Sequence, residues 1–436
     1  MKRFPLAPTW PGVWLLAGTH LLAFADRFLA ALVAPAIKAD LHLSDVELGL
    51  VQGTAFVIAY AGASLLAGPL VDRVHRPRLI AAGILAWSLA TLACGLATDL
   101  AELLLGRAAL GLGQAVLTPA ALALIAARQP RDRVGRGVSL YTAGAVLGRG
   151  TALVLGGGLL ALLPAAVPLG GGTIAAWRLL FLLSVLPNLA VALLLWRTPD
   201  PGRGGRRTLP GVRLGPWLAR HAGRYAVMAV AGAAVALVVQ TTNAWGVTLL
   251  VRRFGLPLSS AGMLFGLVVV LAAPLGQFAG GRLLDRGSRG FPSRPRLGLP
   301  GGRLLLAILL GTPPLLALLC LVDSLPVALA ALAALVFGLG LGSVAALAGL
   351  QLMTPQRLRG RVTAPFMACI TLAGFGLGPP LVGLLADRVF GEAGLGRALL
   401  ATGLLADAAG LVALLLGGRY VMHDRITDGT TARADR

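Results

Sequence analysis

Long apolar runs alternate with short polar stretches along the whole of this chain. A helix needs about 20 mostly apolar residues to cross a bilayer. Twelve runs of about that length occur, and each predicts one membrane-spanning helix. The runs are residues 12–36, 48–71, 79–98, 101–127, 137–163, 175–196, 225–250, 260–284, 304–322, 327–353, 362–386 and 396–418.

Composition agrees with that pattern, because 57% of the 436 residues are hydrophobic and only 13% are charged. Soluble domains usually carry about 25% charged residues, so most of this surface faces lipid. The fold class is therefore an all-α membrane protein with twelve transmembrane helices. Although the net charge is +21, the basic residues form short clusters between apolar runs, which argues against a nucleic-acid partner.

The basic clusters also predict how the chain lies in the membrane. With both termini cytoplasmic, the cytoplasmic segments hold 29 Lys and Arg residues and the opposite side holds 6. Such an excess is typical of the cytoplasmic side of membrane proteins. We therefore expect a multi-pass protein of the cell (inner) membrane, with both termini in the cytoplasm.

One short motif occurs twice and divides the chain into two repeats. Gly68 to Arg73 and Gly281 to Arg286 both read G-x-x-x-D-R, at the ends of the second and eighth runs. The 213-residue offset predicts two parallel bundles of six helices. The predicted domains are a first bundle at 1–196, a basic cytoplasmic linker at 197–224, a second bundle at 225–418 and a cytoplasmic tail at 419–436.

Two six-helix repeats with this motif resemble the major facilitator superfamily, and the first repeat is similar to its Spinster-like branch. The branch resemblance covers about residues 24–197. It is carried by Asp26-Arg27, Ile37-Lys38-Ala39-Asp40, Ser44-Asp45, Trp87 to Thr91, Arg107 with Gly111-Leu-Gly113-Gln114, Arg136-Gly137 and Trp177-Arg178.

The resemblance implies alternating-access transport of lipid-like or amphipathic solutes, often coupled to protons. It also implies a role for the acid of the first helix, Asp26, and for a glutamate where this chain has Gln114. Because glutamine cannot titrate, a two-carboxylate proton relay is not expected here. Facilitated transport, or proton coupling through Asp26 alone, fits this sequence better.

The resemblance further implies a gate at the G-x-x-x-D-R motifs. Asp72 would cap the start of the eleventh helix and Asp285 the start of the fifth, with Arg136 and Arg361 as partners. Such contacts would hold the cytoplasmic side shut. A plain topology anchor is the alternative. The gating residues under this hypothesis are Gly68, Asp72, Arg73, Arg136, Gly281, Asp285, Arg286 and Arg361.

Several charged or polar side chains fall at similar depth near the middle of the first repeat. These are Asp26, Arg27, Gln114 and Arg149, with Arg107 nearer the outer end of its helix. Intramembrane charge is costly, so such residues usually face a cavity or a partner. One acid against three arginines suggests an anionic substrate group. Asp26 paired permanently with Arg149 or Arg107 is the structural alternative.

The seventh run carries a second polar cluster, Gln240, Thr241, Asn243 and Trp245. This cluster corresponds in position to the first run, so we expect it to line the transport pathway. Hydrogen bonding between helices is the alternative reading. Tyr60, Gln52 and Gln351 are weaker candidates.

The sequence thus predicts a monomeric secondary transporter of an amphipathic, anionic small molecule. Efflux of hydrophobic cationic drugs is the alternative, and in that case Asp26 rather than the arginines would dominate binding. A membrane enzyme acting on lipids would need a His, Ser or metal constellation at depth. No such motif occurs, and we expect no catalytic site, cofactor or metal. A receptor or scaffold is the remaining class.

Overall fold

The computed structural model describes residues 10–130, 133–169, 172–201, 219–290, 301–354 and 358–434. Within these ranges twelve helices are long and apolar enough to cross a membrane, as predicted. We number them spans 1 to 12 in chain order. They are Trp10–Leu32, Asp45–Arg73, Arg76–Leu96, Leu100–Arg128, Val134–Leu162, Ala176–Trp196, Ala222–Phe254, Leu258–Leu284, Gly302–Leu321, Leu325–Met353, Pro365–Phe390 and Glu392–Gly417.

Spans 1, 2, 4 and 11 are not uniform α-helices. The helix of span 1 ends at Leu32, and a second helix, Ala34–Leu41, continues the run beyond its predicted end. Pro35 explains the break, because proline lacks the backbone donor that a continuous helix would need there. Span 4 consists of Leu100–Gln114 and Leu117–Arg128.

Wider π-helical turns interrupt spans 2 and 11. Span 2 consists of Asp45–Gly49, a π segment at Leu50–Thr54, and Ala55–Arg73. In the chain around span 11, Arg359–Thr371 and Gly378–Leu385 flank a π segment at Leu372–Leu377. A further π segment, Ala386–Phe390, and a 3₁₀ turn, Glu392–Gly394, precede the last helix, Leu395–Ala434.

A short β-hairpin joins spans 5 and 6, and the hydrophobicity pattern did not predict it. Strand β1, Ala166–Leu169, pairs antiparallel with strand β2, Gly172–Ala175. Val167 lies opposite Ile174 and Pro168 opposite Thr173. Four residues per strand are too few for a hydrophobic period to be distinguished from the apolar spans on either side.

Glycines set the closest helix contacts in the first repeat. A side chain at Gly144 or Gly148 of span 5 would collide with the backbone oxygens of Ala17 and Leu21 in span 1. In span 4, a side chain at Gly113 would lie 2.8 Å from the backbone nitrogen of Trp87 in span 3. These glycines therefore hold helices close together.

The chain forms two compact units whose boundaries differ from those of the sequence repeats. One unit contains residues 1–208 and 244–270, and the other contains 209–243 and 271–436. The C-terminal part of span 7 and the first part of span 8 thus belong to the unit that contains spans 1 to 6. Gly157 of span 5 illustrates this packing, since a side chain there would lie 2.7 Å from the Ser259 oxygen.

Candidate functional site

Asp26, at the middle of span 1, is almost fully buried at 2% exposure. Its Oδ2 accepts a hydrogen bond of 2.6 Å from Asn188 Nδ2 in span 6. Among the described residues no arginine lies within ion-pair distance of Asp26, so the alternative that Asp26 is permanently paired with Arg149 or Arg107 does not hold. An amide satisfies the carboxyl without a charge, which keeps this acid separate from the nearby guanidinium groups.

Arg27 turns to the other side of span 1 and meets Gln114 of span 4. Its Nη2 donates to Gln114 Oε1 at 2.8 Å, and Gln114 Nε2 donates to the Ala23 oxygen at 2.9 Å. Gln114 therefore uses its acceptor and its donor at once. A glutamate could provide only the acceptor while ionised.

Three aromatic rings surround the Arg27 guanidinium. Its central carbon lies 4.4 Å from the Phe24 ring centre, 4.2 Å from that of Phe56 and 5.3 Å from that of Tyr60. The negative faces of aromatic rings attract cations, and this attraction strengthens away from water. These three rings therefore help to stabilise the buried cation.

Arg107 is completely buried and connects three spans. Its Nε donates to the Val51 oxygen at 2.9 Å, and its Nη2 donates to the Arg27 oxygen at 3.0 Å. The π segment of span 2 contains Val51, so a widened turn supplies an acceptor for this guanidinium. These contacts give Arg107 a role in positioning spans 1 and 2.

Arg149 of span 5 differs from the other two arginines. It is partly exposed, and its guanidinium carbon lies 4.6 Å from the Phe28 ring centre. No carboxylate among the described residues pairs with it. Arg27 is close enough to repel it. Of the three arginines, this one has the most capacity left for an external anion.

The polar cluster of span 7 is buried and is bonded mainly within its own helix. Thr241 Oγ1 donates to the Leu237 oxygen at 3.0 Å, and Asn243 Nδ2 donates to the Val239 oxygen at 2.6 Å. Gln240 is 6% exposed and its Nε2 has no hydrogen-bond partner among the described residues. Trp245 is fully buried. The alternative of interhelical bonds does not hold for Thr241 and Asn243.

Residues after span 1 bond to the start of span 6, which in turn contacts the end of span 3. Asp40 Oδ2 accepts from Trp177 Nε1 at 3.1 Å and from Arg178 Nη2 at 2.9 Å. Arg178 also donates to the Gly95 and Ala97 oxygens at the end of span 3. These oxygens have no helical donor of their own, so a cation there caps the helix. Part of the Spinster-like pattern is thus structural.

Asp45 joins two cations from distant parts of the sequence. Lys38 Nζ lies 2.8 Å from its Oδ1, and both terminal nitrogens of Arg252 bond its carboxylate, at 2.6 and 2.7 Å. A capping box between Ser44 and Glu47 fixes this turn at the start of span 2. The Asp45 network therefore ties the C-terminal end of span 7 to the first repeat.

The structure describes the side chains of only some residues in the gating hypothesis. Asp72, Arg73 and Arg136 are all exposed, and Gly68 and Gly281 have no close neighbours on their open side. The side chains of Asp285, Arg286 and Arg361 lie outside the described set. The gate therefore stays a prediction.

The sequence analysis missed several residues that surround the buried charged groups of the first repeat. Asn188 was overlooked because it is a single polar residue in an apolar run, and Phe24 and Phe56 because aromatic residues usually indicate packing. His20 was also missed. It stacks on Tyr141 with ring centres 4.0 Å apart, and its Nδ1 lies 2.9 Å from the backbone oxygen of Tyr141. A polar residue within a span was the available signal for both Asn188 and His20.

Twelve apolar spans, with buried charges confined to a few of them, define a multi-pass membrane protein of the transporter type. The model of the Major Facilitator Superfamily matches residues 16–376. The chain therefore belongs to that superfamily, whose members are transporters rather than enzymes.

Particular relatives support this assignment. An "MFS-type efflux pump" of Mycolicibacterium smegmatis is 29% identical over 404 residues, covering 90% of this chain and 88% of its own. "Puromycin resistance protein pur8" of Streptomyces alboniger is 35% identical over 47% of this chain and 39% of its own. "Protein spinster homolog 1" of Xenopus tropicalis is 32% identical over 44% of this chain and 35% of its own.

A solved structure has the same fold along almost the whole chain. It is that of a bacterial homologue of the human lysosomal transporter Spinster, titled inward-facing and unoccupied. The TM-score is 0.77 with 23% identity, covering 95% of this chain and 97% of the other. The predicted resemblance to the superfamily and to Spinster proteins is thus confirmed.

Proposed function

We propose that this transporter moves an amphipathic, anionic small molecule or lipid-like solute across the cell membrane by alternating access. Arg149 carries the proposal, because it is a partly buried cation with no carboxylate partner among the described residues. The Phe28 ring beside it offers an apolar surface to the rest of an amphipathic molecule. Phosphate and carboxylate groups both fit the planar fork of arginine.

The other buried charges favour Arg149 over Arg107 as the anion-binding group. Arg107 is fully enclosed and already donates to two backbone oxygens. Asp26 is occupied by Asn188. Arg27 supplies a second positive charge nearby, so an anion that approaches Arg149 lies in the field of two guanidinium groups.

Uptake into proteoliposomes tests this proposal with two lysolipids that differ in headgroup charge. We expect faster transport of lysophosphatidylglycerol than of zwitterionic lysophosphatidylcholine. Arg149→Ala should slow the anionic probe by about tenfold, the effect of about 1.4 kcal/mol. Arg149→Lys should retain part of the rate, because lysine keeps the positive charge but lacks the planar guanidinium group that binds an anion through two hydrogen bonds.

Arg197→Ala is the matched control, since Arg197 is exposed after span 6 and its removal changes the net charge equally. Equal rates for Arg149→Ala and Arg197→Ala would contradict the proposal.

Efflux of hydrophobic cationic drugs is the second candidate, and the printed names of two relatives favour it, an efflux pump and a puromycin resistance protein. Under this candidate Asp26 attracts the cation. Export of a fluorescent hydrophobic cation would then survive Arg149→Ala and be lost in Asp26→Asn. The reverse pattern would leave the anionic substrate as the better assignment.

The Gln114 position tests how the transporter is coupled. We propose facilitated transport, or coupling that does not use a second acid in span 4. Gln114→Glu places a titratable group 2.8 Å from Arg27, where a glutamine now bonds. Lysolipid transport by this variant should depend on pH more strongly than that of wild type, while Gln114→Asn should change the rate without altering the wild-type pH dependence. Indifference of the glutamate variant to pH would count against this view.

The basic residue distribution supports cytoplasmic termini. A fluorescent protein fused to the C-terminus should therefore mature in the cytoplasm of a bacterial host and fluoresce. Lack of fluorescence from a membrane-inserted fusion would contradict this orientation.

A further inference from the structure

Span 12 contains a buried acid that the sequence analysis did not single out, Asp407. The side chain is 2% exposed, and both carboxylate oxygens are shielded from solvent. Neither oxygen has a hydrogen-bond or ion-pair partner among the residues that the structure describes. The other two buried acids of the described spans have partners: Asp26 has Asn188, and Asp45 has Lys38 and Arg252. Asp407 is thus the unusual one of the three.

The packing of span 12 shows which way Asp407 faces. Gly403 and Gly410 lie four residues before it and three residues after it, so all three share one helix face. A side chain at Gly403 would collide with Leu316 of span 9. A side chain at Gly410 would lie 2.9 Å from Leu309 of span 9 and 2.9 Å from Ala234 of span 7. Asp407 therefore faces spans 9 and 7.

The side of span 12 away from Asp407 is exposed. Leu405, two residues before Asp407 and so about 160° around the helix, is 61% exposed. The acid consequently points into the helix bundle and cannot be solvated by reaching the outer surface at this level.

Span 9 offers unusual acceptors opposite this acid. Leu309 and Leu316 flank the Asp407 level, which puts Thr312 and the Pro313-Pro314 pair opposite it. Each proline lacks the N–H that would bond the oxygen four residues earlier, so the Leu309 and Leu310 oxygens lose their usual helical donor. Thr312 donates its own hydroxyl to the Ile308 oxygen at 2.8 Å. The available groups are acceptors, and a protonated carboxyl can donate to an acceptor.

Other titratable groups on the helices around Asp407 lie far along their axes. Span 9 has Arg303 and Cys320, which are eight or nine residues from Thr312, or about 12 Å at the helical rise. Residues 222–243 of span 7 include Arg224 and Tyr225, which are more than two turns from Ala234, the span 7 residue beside Gly410. Span 11 has the exposed Cys369 near its start and Asp387 and Arg388 near its end. Glu392 follows span 11, and Arg397 lies ten residues before Asp407 on its own helix. Span 10 contains no titratable group.

We propose that Asp407 is a proton-binding site in the second repeat, which takes up and releases a proton during the transport cycle. Burial without a partner penalises the negative carboxylate, and a bound proton removes that charge. The resulting hydroxyl can donate to an oxygen freed by the proline pair. Deprotonation returns a charge to this face and changes how spans 9 and 12 fit together. The proposal rests on the chain being a transporter, but not on the identity of its substrate.

Infrared spectroscopy of the purified protein in lipid nanodiscs tests the site without any substrate. We expect a band from a protonated carboxyl near neutral pH that is missing in Asp407→Asn and remains in Asp26→Asn. Asn is nearly isosteric, and its amide can donate to the same oxygens, so this variant should fold. Asp407→Leu, which fills the volume without a polar group, provides a second check. A band that persists in both Asp407 variants would overturn the proposal.

Proteoliposome flux then tests proton exchange, with lysophosphatidylglycerol as the probe. An imposed pH gradient should change the wild-type rate several-fold, and Asp407→Asn should lose that response while it retains exchange of the probe at equal pH on both sides. A gradient response that is undiminished in Asp407→Asn would overturn the proposal. If wild type fails to move this probe, the proposed substrate class fails, and the infrared result still decides on Asp407.

Discussion

The two repeats share a helix plan but differ in how their buried charged side chains are bonded. In the first repeat, Asp26, Arg27 and Arg107 bond to residues of other spans. In the second repeat, Thr241 and Asn243 bond to their own helix, and Asp407 has no partner among the described residues. Among the described residues, the bonds that link helices through buried charged side chains therefore lie mainly in the first repeat.

This difference teaches which polar residues hold the structure together. A bond between spans is lost with the contact between those helices, whereas a bond within a helix survives as long as the helix does. Substitutions in the first repeat should therefore destabilise the protein more than chemically matched substitutions in the second. Three experiments test this comparison, and they are given in order of expected effect.

Arg107→Ala should have the largest effect on stability. The change removes a fully buried side chain and its bonds to the Val51 and Arg27 oxygens. The lost bonds and the cavity should lower the free energy of unfolding by about 3 kcal/mol. The unfolding midpoint of the detergent-solubilised protein measures this. The exposed Arg197→Ala should cost about 0.5 kcal/mol or less, and equal losses would refute the structural role of Arg107.

The stability costs of Asn188→Leu and Asn243→Leu compare the two repeats directly. Asn188 bonds Asp26 in another span, and Asn243 bonds only the Val239 oxygen of its own helix. The first change leaves a buried carboxyl without its donor and should cost about 2 kcal/mol, whereas the second should cost about 0.5 kcal/mol.

Unfolding midpoints in one detergent give both values. In an Asp26→Leu background the cost of Asn188→Leu should fall, because no carboxyl is left unpaired. A cost that stays the same in that background would show that packing, rather than the hydrogen bond, explains the loss.

Asp45→Asn should have a smaller effect, since this network is only partly buried on its cationic side, with Lys38 at 16% and Arg252 at 20% side-chain exposure. We expect a loss of about 1 kcal/mol that shrinks as salt is added. Arg252→Ala should reproduce the loss and add little to it in the double variant. The neighbouring Arg253→Ala serves as the control. A full additive loss for Asp45→Asn with Arg252→Ala would contradict a shared ion pair.

The sequence predicted the twelve spans because lipid imposes one requirement, apolar length, that can be read locally. The sequence also singled out Asp26, Arg27 and Gln114 as polar residues within apolar runs, and the structure shows all three buried. Partners could not be predicted, because Asn188 reaches Asp26 only through the way spans 1 and 6 pack. Asp407 was visible as an acid in an apolar run. Its lack of a partner, which sets it apart, depends on which neighbours span 9 presents.

Spans 1 and 5 meet where Gly144 and Gly148 leave no side chain between the two backbones. Arg149 follows directly after the second of these glycines, and Asp26 lies little more than one turn beyond Leu21. Gly144 and Gly148, whose side chains are single hydrogen atoms, therefore set the spacing of these ionisable groups. A single methyl group at Gly148 would wedge the helices apart and shift the guanidinium from Phe28, so a residue with no chemistry of its own determines where the charge sits.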